Sequence, residues 1–199
     1  FNAAHLPAQL PPSYLEPPAS LCGKRNIQPG GDAGAALADS VVEALDTELG
    51  RTIAGIRAVD PAAYFLLISD NGTDHRTARG RMGSCFGPDR SKGTLYEGGI
   101  RVPLIVAGPG VVPGTCAAFV SAVDLYATIA ELAKVPSRAE DSVSLVPYLR
   151  GHMDPLRTTV YSEFFVPNFV CPDSPSTPDL APRRHLRVIR NERYKLFRY

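Results

Sequence analysis

The sequence predicts an α/β fold: a sandwich of helices around a mostly parallel central sheet, with the start of a small antiparallel sheet near the C-terminus. Three observations predict it. Two apolar runs of strand length, Tyr64 to Ile68 and Val102 to Ala107, end in the turn residues Ser69-Asp70-Asn71-Gly72 and Gly108-Pro109-Gly110. Such runs read as strands buried on both faces. A helical apolar pattern precedes the first run, which makes a helix-to-strand step of a doubly wound sheet. Two more short runs, Leu186 to Ile189 and Tyr194 to Phe197, flank the turn Arg190-Asn191-Glu192-Arg193, as a hairpin would.

Composition narrows the classes. A hydrophobic fraction of 44% is enough for a core, and a net charge of +1 carries no nucleic-acid signature. No apolar stretch approaches the ~20 residues of a membrane-spanning helix. The 19 prolines and 17 glycines call for many loops. Four cysteines at wide spacing form neither a zinc pattern nor a dense disulfide framework, so ordinary thiols and one or two disulfides both stay open.

In chain order, Phe1 to His5 reads as the end of a strand with His5 at its tip. Pro7, Pro11, Pro12, Pro17 and Pro18 then impose an extended loop, because each fixes φ and removes a donor. From Ala35 to about Val59, Leu37, Val41, Ala44, Leu45, Leu49, Ile53 and Ile56 form one apolar helical stripe, with Asp32 as N-cap and Asp60-Pro61 as the stop. Phe119 to Ala133 predicts a second amphipathic helix with Val123, Leu125, Ile129 and Leu132 apolar. Asp124 there is expected to cap or orient a neighbour. Val143 to Leu145 and Tyr148-Leu149 suggest a short docking helix. Thr159 to Phe165 reads as a strand, and the proline-rich stretch from Pro167 to Arg184 as a loop or lid.

The chemistry collects after the first strand. In open α/β sheets, ligands sit beyond the carboxyl ends of the strands, where Asp70 and Asn71 fall. A carboxylate beside an amide oxygen suits a hard cation such as calcium or magnesium. The long loop that follows carries His75, Arg76, Arg79, Arg81, Arg90 and Lys92. Cations beside a metal-type pair imply an oxyanion ligand, sulfate or phosphate. Taken singly, His75 reads equally well as a solvated loop histidine, and Lys92 as a surface lysine before a turn. Cys85 has nothing beside it to supply a base, so it is not expected to be a nucleophile.

Ser69-Asp70-Asn71-Gly72, followed by Lys92-Gly93-Thr94-Leu95-Tyr96-Glu97-Gly98-Gly99-Ile100-Arg101-Val102-Pro103 and then Gly108-Pro109-Gly110, resembles the centre of the sulfatase family of the alkaline phosphatase superfamily. Phe1 to Pro7, Val42 to Arg51, Ser121 to Tyr126, Ser142 to Leu145, Tyr161 to Phe164 and Arg193 to Leu196 match further landmarks in the same order. The resemblance implies a calcium ion (magnesium being the less expected metal) held in part by Asp70 and Asn71. It implies that His5 and Lys92 are catalytic and bind the sulfate group. The residues themselves leave His75 open to contact with substrate or metal, and give Glu97 and Arg101 the task of holding the turn, as an ion pair or through backbone hydrogen bonds. Members carry a Cys or Ser in C/S-x-P-x-R that becomes a formylglycine nucleophile. No such motif occurs here, so the chain is expected to be a portion that begins after it, with the nucleophile upstream. Residues 1–155 would then be part of the catalytic domain, and 156–199 a lid loop and the start of a C-terminal subdomain.

The function so implied is hydrolysis of a sulfate ester, small-molecule or carbohydrate, with no nucleic-acid partner. The family's habits lean towards a periplasmic, lysosomal or secreted location. Two alternatives stand beside it: a phosphodiester or phosphonate monoester hydrolase of the same superfamily, and a non-catalytic remnant or module that binds sulfated ligands.

Overall fold

A computed structural model describes residues 33–74, 88–166 and 184–199. The chain forms two compact units, Phe1–Pro109 and Gly110–Tyr199.

In the first unit, helix α1 spans Ala33–Val59 and buries Ser40, Val41 and Ala44. The expected N-cap, Asp32, lies outside the described residues. The stop falls where the sequence put it. Asp60 N–H bonds the Ile56 carbonyl at 2.7 Å, and the Asp60 side chain accepts from Ala62 N–H at 2.9 Å. The aspartate thus closes the helix and starts the turn into Pro61. Arg57, in the last turn, lies 5.4 Å from the centre of the Phe65 ring, which ties the helix end to the strand that follows.

Strand β1 (Phe65–Ile68) pairs antiparallel with β2 (Leu104–Ala107), with Leu67 opposite Ile105. β2 begins after Pro103 rather than at Val102, because proline cannot donate to the ladder. The expectation of burial on both faces does not hold within this chain. Leu67 is 41% and Ile105 57% exposed, so one face of the pair is open. No parallel pair occurs among the described residues. An antiparallel pair is a regular component of large mixed sheets.

Between the strands lie a 3-10 turn at Pro88–Arg90 and the short helix α2, Glu97–Ile100. Arg101 N–H bonds the Glu97 carbonyl at 2.8 Å. This is one of the two ways these residues were expected to hold the turn.

In the second unit, α3 spans Asp124–Leu132 and α4 spans Val146–Leu149. α3 starts later than the apolar period from Phe119 implied. Its buried residues are Asp124, Ala127 and Thr128, whereas Val123, Tyr126 and Ile129 are 50%, 57% and 52% exposed. The helix docks by its polar side. Thr128 Oγ1 donates to the Asp124 carbonyl at 2.6 Å and accepts from Leu145 N–H at 2.9 Å, and Ser142 Oγ accepts from Ala127 N–H at 2.9 Å.

Asp124 is fully buried. Its carboxylate takes Arg157 Nε at 2.8 and 3.0 Å, Ser121 N–H at 2.9 Å and Val143 N–H at 2.9 Å, and it also pairs with the Arg157 terminal nitrogen. Burial acts to raise its pKa. The Arg157 bond and the two backbone donors outweigh burial and hold it below the ordinary carboxylate value.

The antiparallel sheet expected at the C-terminus is present: β3 (Val160–Val166), β4 (Arg184–Arg190) and β5 (Lys195–Arg198), in that order. Asn191 makes the turn between β4 and β5. Its side-chain oxygen accepts from Arg193 N–H at 2.9 Å and Tyr194 N–H at 2.7 Å. Val188 is buried, and Leu196 on the edge strand is exposed.

Candidate active site

Asp70 and Asn71 follow β1 directly, at its carboxyl end. Asp70 Oδ1 accepts from Asn71 N–H at 2.9 Å, and Oδ2 accepts from Asn71 Nδ2 at 2.8 Å. Ser69 Oγ donates to the Asn71 carbonyl at 2.8 Å. The two side chains therefore lie against each other. The bond runs through Nδ2 and not through the Asn71 amide oxygen, and Asp70 itself is exposed.

This loop is clasped to the segment before β2. Gly72 N–H bonds the Gly99 carbonyl at 2.9 Å, and Lys92 N–H bonds the Thr73 carbonyl at 2.9 Å. The approach is close enough to require glycine. A Cβ on Gly72 would lie 1.8 Å from the Gly98 carbonyl oxygen, and one on Gly99 would lie 2.1 Å from that of Thr94. The sequence brackets this clasp with Gly72 on one side and Gly98-Gly99 on the other.

Lys92 occupies the second position of a turn from Ser91 to Thr94. Thr94 N–H bonds the Ser91 carbonyl at 3.2 Å, and Gly93 has φ +84°. Positive φ at the third residue is the mark of a type II turn and explains the glycine. Ser91 is buried and Lys92 exposed, so the corner projects from an anchored base. Arg90 lies 5.2 Å from the centre of the Tyr96 ring and ties together the segments on either side of that corner.

The structure thus brings three of the five expected site residues, Asp70, Asn71 and Lys92, onto two loops joined by main-chain bonds. His5 and His75 lie outside the described residues. Asp70 and Asn71 fit a hard cation by donor type, one carboxylate and one amide oxygen. They fall short in number: among the described residues no group of three or more His, Cys, Asp or Glu side chains converges. Sequence reasoning missed Thr73 and Thr94, which hold Lys92 through backbone and hydroxyl groups.

The family model described as Sulfatase matches residues 2–135. The chain belongs to the sulfatase family. Its members hydrolyse sulfate esters and generally use a metal ion. Arylsulfatase A of Homo sapiens is 35% identical over 137 residues, covering 66% of this sulfatase chain and 26% of the human protein. A choline-sulfatase of Rhizobium meliloti is 37% identical over 83 residues, covering 40% of the chain and 15% of that protein. This chain therefore spans about a quarter of the length of the first relative and less of the second.

Among solved structures, a phosphonate monoester hydrolase from Silicibacter pomeroyi superposes with a TM-score of 0.62 at 23% identity, over 82% of this chain and 32% of that one. A putative sulfatase from Bacteroides thetaiotaomicron superposes at 0.60 and 20%, over 83% and 33%. The fold is that of the alkaline phosphatase-like sulfatases.

Proposed function

We propose that this chain forms the middle and C-terminal portion of a sulfate-ester hydrolase, with a calcium ion held in part by Asp70 and Asn71. The observation that supports this is the double clasp, Gly72 to Gly99 and Lys92 to Thr73, which joins the loop after Asp70 and Asn71 to the segment that carries Lys92. Calcium, when bound, would draw electron density from the sulfuryl oxygens. Its remaining ligands would come from other residues.

Lys92 would bind a sulfate oxygen and stabilise the alcohol as the sulfur–oxygen bond breaks. A fixed cation does more for a charge that develops in the transition state than for the ground state. His5 would share contact with the sulfate, and His75 would touch the substrate. The nucleophile is assigned to a formylglycine outside these residues, because C/S-x-P-x-R does not occur in the sequence. On this reading the 199 residues alone turn over no sulfate ester. We assign 156–199 to a lid loop and the start of a C-terminal subdomain. The substrate would be a small-molecule or carbohydrate sulfate, and the location outside the cytoplasm.

Lys92→Ala in the complete enzyme tests the reading. Turnover should fall by roughly a hundredfold or more with the fold intact, as for the loss of one preorganised stabilising group. Unchanged turnover would refute it.

A second reading keeps the site and changes the ester. The likeness to a phosphonate monoester hydrolase supports it. Rates on an aryl sulfate and an aryl phosphonate, compared in the same preparation, separate the two.

A further inference from the structure

We propose that Thr94 is a positioning residue for Lys92: its hydroxyl locks the turn that aims the lysine at the sulfate. The inference rests on the sulfatase reading of Lys92 given above. It comes from where the turn's bonds go. The Ser91 carbonyl accepts from two groups of Thr94, the N–H at 3.2 Å and Oγ1 at 2.7 Å. The same hydroxyl oxygen lies 3.4 Å from Tyr96 N–H, at the entry to α2. One side chain therefore closes the turn that contains Lys92 and reaches the helix after it.

The corner itself is built from a permissive backbone. Gly93 at φ +84° is the most permissive residue type, and no neighbour lies within 4 Å of where its Cβ would stand. Lys92 is exposed, with a long, rotatable stem. The placement of its Cα and the facing of the turn determine where that stem starts. The Thr73 carbonyl fixes one coordinate of that Cα by accepting Lys92 N–H, and the Thr94 hydroxyl fixes the turn's closure. A group that stabilises a developing charge needs placement within about 0.5 Å, so a loosened turn costs rate without removing the lysine.

Valine keeps the shape of threonine and removes the hydroxyl, whereas serine keeps the hydroxyl and removes a methyl. The test is kcat in the complete enzyme over a series of aryl sulfates with leaving groups of graded acidity. Lys92→Ala should steepen the dependence of kcat on leaving-group pKa. Thr94→Val should steepen it in part and lower kcat about tenfold for the poorest leaving group, a smaller loss than the ~100-fold that a 1 Å misplacement can cause. Thr94→Ser should restore the wild-type slope.

If Lys92→Ala steepens the slope and Thr94→Val lowers all rates equally or not at all, the positioning role is overturned while the sulfatase reading stands. If Lys92→Ala leaves the slope unchanged, the role of Lys92 falls, and this inference falls with it. Amide hydrogen exchange in the complete enzyme supplies a readout free of activity. Exchange at Lys92 should quicken in Thr94→Val and not in Thr94→Ser, and equal protection in all three proteins would also overturn the proposal.

Discussion

The loops around Lys92 and the base of α3 are both held by hydrogen bonds, but by different atoms. Around Lys92 the loops are joined by backbone-to-backbone bonds, Gly72 to Gly99 and Lys92 to Thr73. Around Asp124 the links run through side chains: one carboxylate gathers Arg157, Ser121 and Val143, and one hydroxyl holds Leu145. The difference matches what each region leaves exposed and what it buries. Main-chain bonds leave Asp70 and Lys92 exposed, as the proposed site for a metal and an anion would require. A structural joint has no such need and can spend its charged groups internally.

The comparison breaks most severely at Asp124. Asp124→Ala leaves Arg157 without its carboxylate and leaves the Ser121 and Val143 N–H groups unpaired. Breaking a buried pair by removing one partner costs about 3–5 kcal/mol. Urea unfolding of the 199-residue chain should show this as a large drop in midpoint. Loss below about 1 kcal/mol would mean that the joint is solvated and contributes as a surface pair does.

Gly72→Ala attacks the other region. Its Cβ would meet the Gly98 carbonyl oxygen at 1.8 Å, and backbone cannot swing aside as a side chain can. Overpacking of this kind costs about 1–3 kcal/mol. Amide exchange at Gly72 and Lys92 should rise, while Val143 and Leu145 stay protected. Equal loss of protection at all four amides would show that the two regions do not respond separately.

Legibility in the sequence follows the same division. The hairpin of β4 and β5 and the end of α1 were readable because Asn191 and Asp60 act locally, within three or four residues of themselves. α3 was misplaced because periodicity counts apolar residues, and the face that docks is Asp124, Ala127 and Thr128. Arg157 stands in a stretch without period, and its partner is 33 residues away, so no local rule finds it. Asp70, Asn71 and Lys92 were readable as residue types at a strand end and as a match to the sulfatase motif. The clasp that joins them uses carbonyl and amide groups that every residue carries. Its only trace in the sequence is three glycines, whose spacing does not say which of them touch. The openness of Leu67 and Ile105 was also invisible, because an apolar run reports what a strand can bury and not what stands against it.

Acid sharpens the comparison. The folded pKa of Asp124 is lowered from 3.8, so the unfolded chain takes up the proton first as pH falls. The carboxylate's contribution is therefore present in full well above 3.8 and is shed as pH drops through that value towards the lower folded pKa. Stability of the wild type and of Asp124→Asn, measured by urea from about pH 6 down to pH 3, should converge at the acid end. A gap that stays constant would assign the stabilisation to shape and not to charge.

The smallest effect expected is at Gly93, and it isolates backbone strain from packing. Gly72 and Gly93 both flank the lysine corner, but Gly72 is glycine for lack of space and Gly93 for its φ of +84°, with nothing within 4 Å of its missing Cβ. Gly93→Ala should therefore cost only the left-handed penalty, about 1 kcal/mol. Gly93→Asn should recover part of it, since asparagine tolerates that region through local hydrogen bonds. Thermal unfolding that ranks glycine above asparagine above alanine would mark the corner as held by conformation. If all three melted together, the turn would relax freely, and the fixed aim of Lys92 would have to come from the Thr73 and Thr94 bonds alone.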